Sequence, residues 1–209
     1  MDAEEFTDTL RDAHETPLSR LGSSKSLYAL TGGEMAGDAV RAVVAREAAL
    51  VADALAGWSD DETGETSDAS RELFADVAAT ADEHAGIGEP DDRAFPDVEA
   101  LAATEGEAAR LGALLARQVL ADTRIGQAVG FFVGDADPSG ANEFRDLRED
   151  VTADLAAVQT RLGDVVAAAD DPEAAREAAR TAADEVLTAA YDDYVETLES
   201  LGVEPKNVC

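Results

Sequence analysis

Apolar residues recur at intervals of three and four along most of this chain and almost nowhere alternate with polar ones, so the pattern predicts helices. Residues 2–15 place Phe6, Leu10 and Ala13 on one face behind an acidic first turn that suits the helix dipole. Thr16-Pro17 supplies a cap and a first-turn proline for a short helix over 18–30, which Thr31-Gly32-Gly33 ends. Over 39–58 the stripe is Val40, Val44, Val51, Leu55 and Trp58, and the position it leaves unfilled is Glu47. After the acidic linker 59–67, a helix over 68–86 carries Leu73, Val77, Ala81 and His84 inward, followed by the breaker-rich connector 86–96. A helix over 97–120 then aligns Leu101, Glu105, Ala108, Leu111, Leu115 and Val119, and 126–133 reads as a short apolar helix or turn. The helix over 141–169 has an unbroken face of Phe144, Leu147, Val151, Leu155, Val158, Leu162 and Val165. Asp170-Asp171-Pro172 opens the last helix, which runs to Leu201 with Ala175, Ala179, Ala182, Val186, Tyr194 and Leu198 inward and Glu173–Arg176 and Glu177–Arg180 pairs on its flank. The fold class expected is all-α: an up-down bundle of four to five long helices over 36–209, preceded by a short helical extension over 1–35.

Composition changes this picture in one respect. Ala supplies 44 of the 209 residues, as many as Leu, Val, Ile and Phe together, so the seams are close helix contacts that bury little area per residue. High charge with few large apolar groups borders on a disordered composition, and the sustained periodicity decides for a folded chain. The 46 Asp and Glu against 16 Lys and Arg give a formal charge of −30, spread along the whole length. On a folded surface of the order of 9,000 Å² the carboxylates lie roughly 14 Å apart, where a like-charge pair costs about 0.2 kcal/mol in dilute salt and almost nothing in molar salt. With Lys25 and Lys206 the sole lysines, this reads as the cytoplasm of a salt-accumulating halophile.

Charge and motifs exclude several functions. Phosphate-neutralising surfaces need clustered Lys and Arg, whereas the arginines here are scattered among acids, so neither nucleic acid nor an anionic membrane is an expected partner. No apolar run approaches the length of a membrane span, and the acidic N-terminus does not resemble a secretory signal, which makes a soluble cytoplasmic location the expectation. Leu21-Gly22-Ser23-Ser24-Lys25-Ser26 lacks the second glycine and the preceding strand of a phosphate loop. Asp135 and Asp137 lack the remaining ligands of a calcium loop, and no nucleophile elbow surrounds any serine. The single cysteine, Cys209, excludes an intrachain disulfide and a cysteine zinc cage, and reads as a frayed terminal thiol, with an intermolecular disulfide or thiol relay as the alternative.

What chemistry remains is metal binding. Glu47, His84 and Glu105 fall on three core-facing stripes, and carboxylates with histidine inside a four-helix bundle are the makings of a metal site. Leu18-Ser19-Arg20-Leu21-Gly22-Ser23-Ser24-Lys25 through Tyr28, then Gly32-Gly33-Glu34-Met35, and the ending Tyr191-Asp192-Asp193-Tyr194-Val195-Glu196-Thr197-Leu198-Glu199 with Pro205-Lys206, resemble a divergent haloarchaeal branch of the ferritin-like, rubrerythrin-like superfamily over nearly the whole chain. The resemblance implies a ferritin-like bundle and a di-iron centre built from one Glu on each of two helices and Glu-x-x-His on two others; chains of that branch are also labelled transcription-antitermination-like, a role the charge opposes. Glu47 matches the first-helix carboxylate, but Ala81 stands where His84 would want Glu, and 151–158 contains no histidine. With at most three ligands left, no cofactor is expected beyond a single iron or manganese ion on Glu47, His84 and Glu105. Without that ion, Glu47 and His84 should pair with each other or reach solvent at a bundle end, since a lone buried carboxylate is costly. The expected function is therefore that of a non-catalytic bundle whose metal site has decayed and which acts through homo-oligomeric assembly or partner contact, with a metal-dependent redox or iron-handling protein as the alternative.

Overall fold

The computed structural model describes residues 3–61 and 64–205, with side chains from Glu5 onward; Lys206 and Cys209 lie outside the described residues. Among the described residues it holds nine α-helices and no strand: α1 (Ala3–Ala13), α2 (Glu15–Leu21), α3 (Ser24–Leu30), α4 (Gly37–Ser59), α5 (Asp68–Ala85), α6 (Pro96–Ala102), α7 (Glu107–Gly134), α8 (Pro138–Ala168) and α9 (Pro172–Ser200). None of them is long and apolar enough to cross a membrane.

The helix starts follow from local chemistry. Ser67 accepts from the Ser70 amide to cap α5. Asp137 Oδ1 accepts from the Ser139 and Gly140 amides at 3.1 and 3.0 Å to cap α8, and Asp171 Oδ1 serves Glu173 and Ala174 in the same way on α9. Pro96, Pro138 and Pro172 occupy first-turn positions of α6, α8 and α9, where no amide donor is needed. At the other end of α9, Gly202 adopts φ +72° and lets the Val203 amide reach back to the Leu198 carbonyl at 2.8 Å.

Two antiparallel pairs form the body of the molecule. Trp58 near the end of α4 meets Phe74 near the start of α5 edge-on, with ring centroids 5.1 Å apart. Phe132 near the end of α7 stacks on Phe144 near the start of α8 at 5.0 Å. The segment between α5 and α7, which contains α6, crosses the length of the bundle, so α5 and α7 run in the same direction. This crossover lays α6 against α4 and α9. Helix α9 returns alongside α7, and there Gly112 sits so close to Ala179 that an added Cβ would stand 2.0 Å from the Ala179 carbonyl oxygen. Every residue from Leu111 to Ala121 of α7 is buried, which makes α7 the central helix. A smaller core around Phe132, Phe144, Val40 and Val151 closes one end, where Arg41 lies over the Phe132 ring at 4.6 Å and donates to Glu143 at 3.0 Å.

The extension docks on this body. Phe6 and Leu10 of α1, Leu21 of α2 and Leu30 of α3 belong to the same continuous core as Leu115 and Val186. Three boundaries differ from the periodicity. The 18–30 helix is two pieces, broken where Gly22 and Ser23 leave the helix. Residues 126–133 are not a separate short element but the last turns of α7. The 97–120 helix is interrupted at Thr104-Glu105-Gly106, because Gly106 takes φ +85° and the chain turns before α7 begins.

Candidate functional site

The buried polar side chains cluster around α7. Arg124 Nη1 donates to Glu47 Oε1 of α4 at 2.7 Å and to Asp97 Oδ2 of α6 at 2.8 Å. One helical turn pair away on the same face, Arg117 Nη2 lies 3.8 Å from Glu47 Oε1, and Arg117 Nη1 donates to Gln118 Oε1 at 2.7 Å. Gln118 Nε2 then donates to Asp154 Oδ2 of α8 at 3.2 Å. The chain of contacts thus crosses the bundle from α6 through α7 and α4 to α8. Asp97 has no exposure, Arg124 4 % and Glu47 5 %, so water does not screen these charges.

The network sets the protonation of its members. Burial pushes the Glu47 carboxyl up, but Arg124 and Arg117, the Arg124 hydrogen bond and the more distant Arg93 outweigh it and hold Glu47 below the ordinary glutamate range. For Asp97, burial prevails over the attraction of Arg124, and the Glu47 charge adds to it, so this carboxyl lies above the ordinary aspartate range. Burial alone would weaken the Arg124 proton, yet Asp97 and Glu47 together hold it more firmly than in water. At the α8 end, burial raises Asp154 to about 6, with Arg117 and Gln118 opposing and Asp150 and Asp76 adding to the rise. Asp97 Oδ1 and the Nε atoms of Arg117 and Arg124 have no partner in the protein, as expected where fixed pairs satisfy only part of each group.

The three residues singled out from the sequence are not brought together. Glu47 is buried as its stripe position requires, but its partners are arginines, not His84. His84 is also buried, and its Nε2 lies 3.1 Å from Asp150 Oδ2 of α8. Glu105 is not on a core-facing stripe: the break at Gly106 puts it in an exposed turn between α6 and α7. Among the described residues no three His, Cys, Asp or Glu side chains stand as a group able to hold a metal ion. Nor does the Glu47 carboxylate fit one. A divalent cation on Glu47 would sit beside the guanidinium groups of Arg124 and Arg117, whose charge it would have to displace. Guanidinium stays protonated and can serve neither as base nor as ligand, so Arg117 and Arg124 act here as fixed charges.

Sequence periodicity missed Asp97, Arg117, Arg124 and Asp154. The signal was present in Gly112-Ala113-Leu114-Leu115-Ala116-Arg117-Gln118-Val119-Leu120-Ala121, an apolar run interrupted by an arginine, with a second arginine seven residues on and hence on the same helix face. A second polar cluster lies at the other end of the bundle. Arg161 of α8 donates to Ser70 Oγ at 2.7 Å and to Glu107 at 3.2 Å, and Ser67 donates its hydroxyl and amide to that same carboxylate. Burial raises the Glu107 carboxyl, but the bonds from Ser67, Ser70 and Arg161 prevail and hold it below the usual range. These contacts tie the starts of α5 and α7 to α8.

No family model matches the chain, and neither a curated protein nor a solved structure gives a significant match.

Proposed function

We propose that this protein is a non-catalytic, ferritin-like helical bundle of a salt-accumulating halophile, in which Arg117 and Arg124 have taken over the charge balance that bound metal would supply, and that it works in the cytoplasm as a homodimer or by contact with a partner. The observation that carries the reading is the shared Arg124 guanidinium: it neutralises Glu47, the carboxylate that the resemblance places in the metal site, and sets a fixed positive charge beside it. Two antiparallel helix pairs joined by one long crossover are the connectivity of ferritin-like bundles, which supports the choice of scaffold. The acidic surface supports the halophilic reading through its charge alone.

The test is elemental analysis of protein purified in molar KCl, together with sedimentation equilibrium over a concentration series. Metal far below one ion per chain, and a dimer, are the expected results. Iron or manganese near one per chain, lost on Glu47→Ala, would establish the metal-dependent alternative instead. A strict monomer that recovers no specific partner would remove the assembly role, and RNA binding that persists across a salt series would point to the antitermination-like role.

A further inference from the structure

We infer that the seam between α1 and α9 is a binding site for a small apolar monocarboxylate, with Arg176 as its anion anchor. A partly enclosed cavity of about 200 Å³ lies between the two helices. Its α1 side is built from Phe6, Thr9, Leu10 and Ala13, which give it a mostly apolar wall. Its α9 side carries Arg176 and Arg180. A cavity of about 150 Å³ accommodates benzene, so this one has room for a single ring or a branched four- to five-carbon body with a carboxylate attached.

The charges in the cavity are not equivalent. Asp184 is already engaged, since His14 Nε2 lies 2.7 Å from its Oδ1 and Arg180 Nε 3.9 Å from its Oδ2. Arg176, half-buried, makes no hydrogen bond or ion pair among the described residues, although the chain has nearly three acids for every base and Glu173 precedes it by three residues. Every other arginine among the described residues has a polar partner, down to Arg145, which donates to Asn142, and Arg46, which donates to the Arg93 carbonyl. An unpaired guanidinium on the rim of an apolar cavity suits a ligand that supplies one carboxylate and buries the rest of itself. Glu173 and Glu177, both exposed, also border the cavity and oppose an anion, a repulsion that molar salt screens more than it weakens the direct Arg176 contact.

The experiment is titration of the full chain in molar KCl with benzoate and 3-methylbutanoate, followed by calorimetry and by ligand-observed NMR, with benzyl alcohol and benzylamine as neutral and cationic isosteres. Benzoate should bind in preference to both isosteres. Arg176→Gln should weaken it about tenfold or more, the loss of one charge-assisted pair. Arg176→Lys should recover part of that loss, and Glu177→Gln should tighten binding most at low salt. Ala13 is exposed at the mouth, so Ala13→Phe should block the cavity while leaving the helical circular dichroism unchanged. Benzyl alcohol binding as tightly as benzoate, benzoate binding unaffected by Arg176→Gln, or no saturable binding at millimolar benzoate would each overturn the proposal.

Discussion

Arg124 matters chiefly through what its loss would leave behind. Replacing it by Met strands Asp97 without a counterion and leaves Glu47 only Arg117 at 3.8 Å, and stability should fall by about 3–5 kcal/mol. Replacing Glu47, Asp97, Arg117 and Arg124 together by Leu and Met should cost far less, because each buried charge disappears with its partner. Denaturant unfolding of the two variants in molar KCl checks this, and equal losses would show that the network is held for packing. Asp154 makes a separate prediction through pH. Its folded carboxyl titrates at about 6, above the 3.8 of an ordinary aspartate, so between these values the folded state binds more protons than the unfolded one. Its contribution is therefore present at the acid end of that window and is lost as pH rises through 6. Asp154→Asn keeps an acceptor for Gln118 and should be more stable than the parent at pH 7, with the advantage shrinking on acidification. Glu47 and Glu107 act in the opposite sense: their lowered carboxyls stabilise above the ordinary glutamate value of 4.5 and lose that contribution as pH falls through their folded values.

Two glycines in α7 carry opposite expectations. Gly112→Ala drives a methyl into the Ala179 backbone, so α7 and α9 must separate, and a loss of about 3 kcal/mol or more is expected. Gly130→Ala meets nothing within 4 Å and should stabilise by about 0.5–1 kcal/mol through helix propensity alone. Thermal unfolding of the two variants separates close packing from backbone preference. The same glycines show how much of the fold the sequence made legible. Spacing by three and four placed α4, α5, α8 and α9 to within a few residues, and Asp171 with Pro172 marked the start of α9. The stretch from Gly126 suggested a separate element where the helix continues to Gly134, while Gly106, inside an otherwise regular stripe, is the one that turns the chain. Whether a glycine interrupts a helix depends on what surrounds it, which spacing does not record. Glu105 was placed wrongly for that reason, and the partners of Glu47 were missed because a stripe marks a buried residue without naming the helix it faces.

At the scale of the whole molecule, the accessible surface is 9800 Å² and most of the 46 Asp and Glu, Glu47 and Asp97 excepted, have to share it. Raising KCl from ~0.1 M to ~1 M shortens the screening length from about 10 Å to about 3 Å, below the spacing of neighbouring charges. The thermal midpoint should rise over that range, as scanning calorimetry would show; a flat or falling midpoint would mean that surface repulsion does not limit stability. The fold class could be read from the chain because helices are local. The charge network could not, because it joins α4, α6, α7 and α8 across a crossover.

The position of α7 also has a consequence for biosynthesis. Its buried run from Leu111 to Ala121 is covered in large part by α8 and α9, which follow it in the chain. At about 5–20 residues per second, the 66 residues from Gly134 to the end of α9 at Ser200 take roughly 3–13 s to be synthesised. For that interval the longest buried run of an otherwise acidic polypeptide is a nascent segment without its cover, and it is the stretch where a chaperone that engages emerging chains would find its grip.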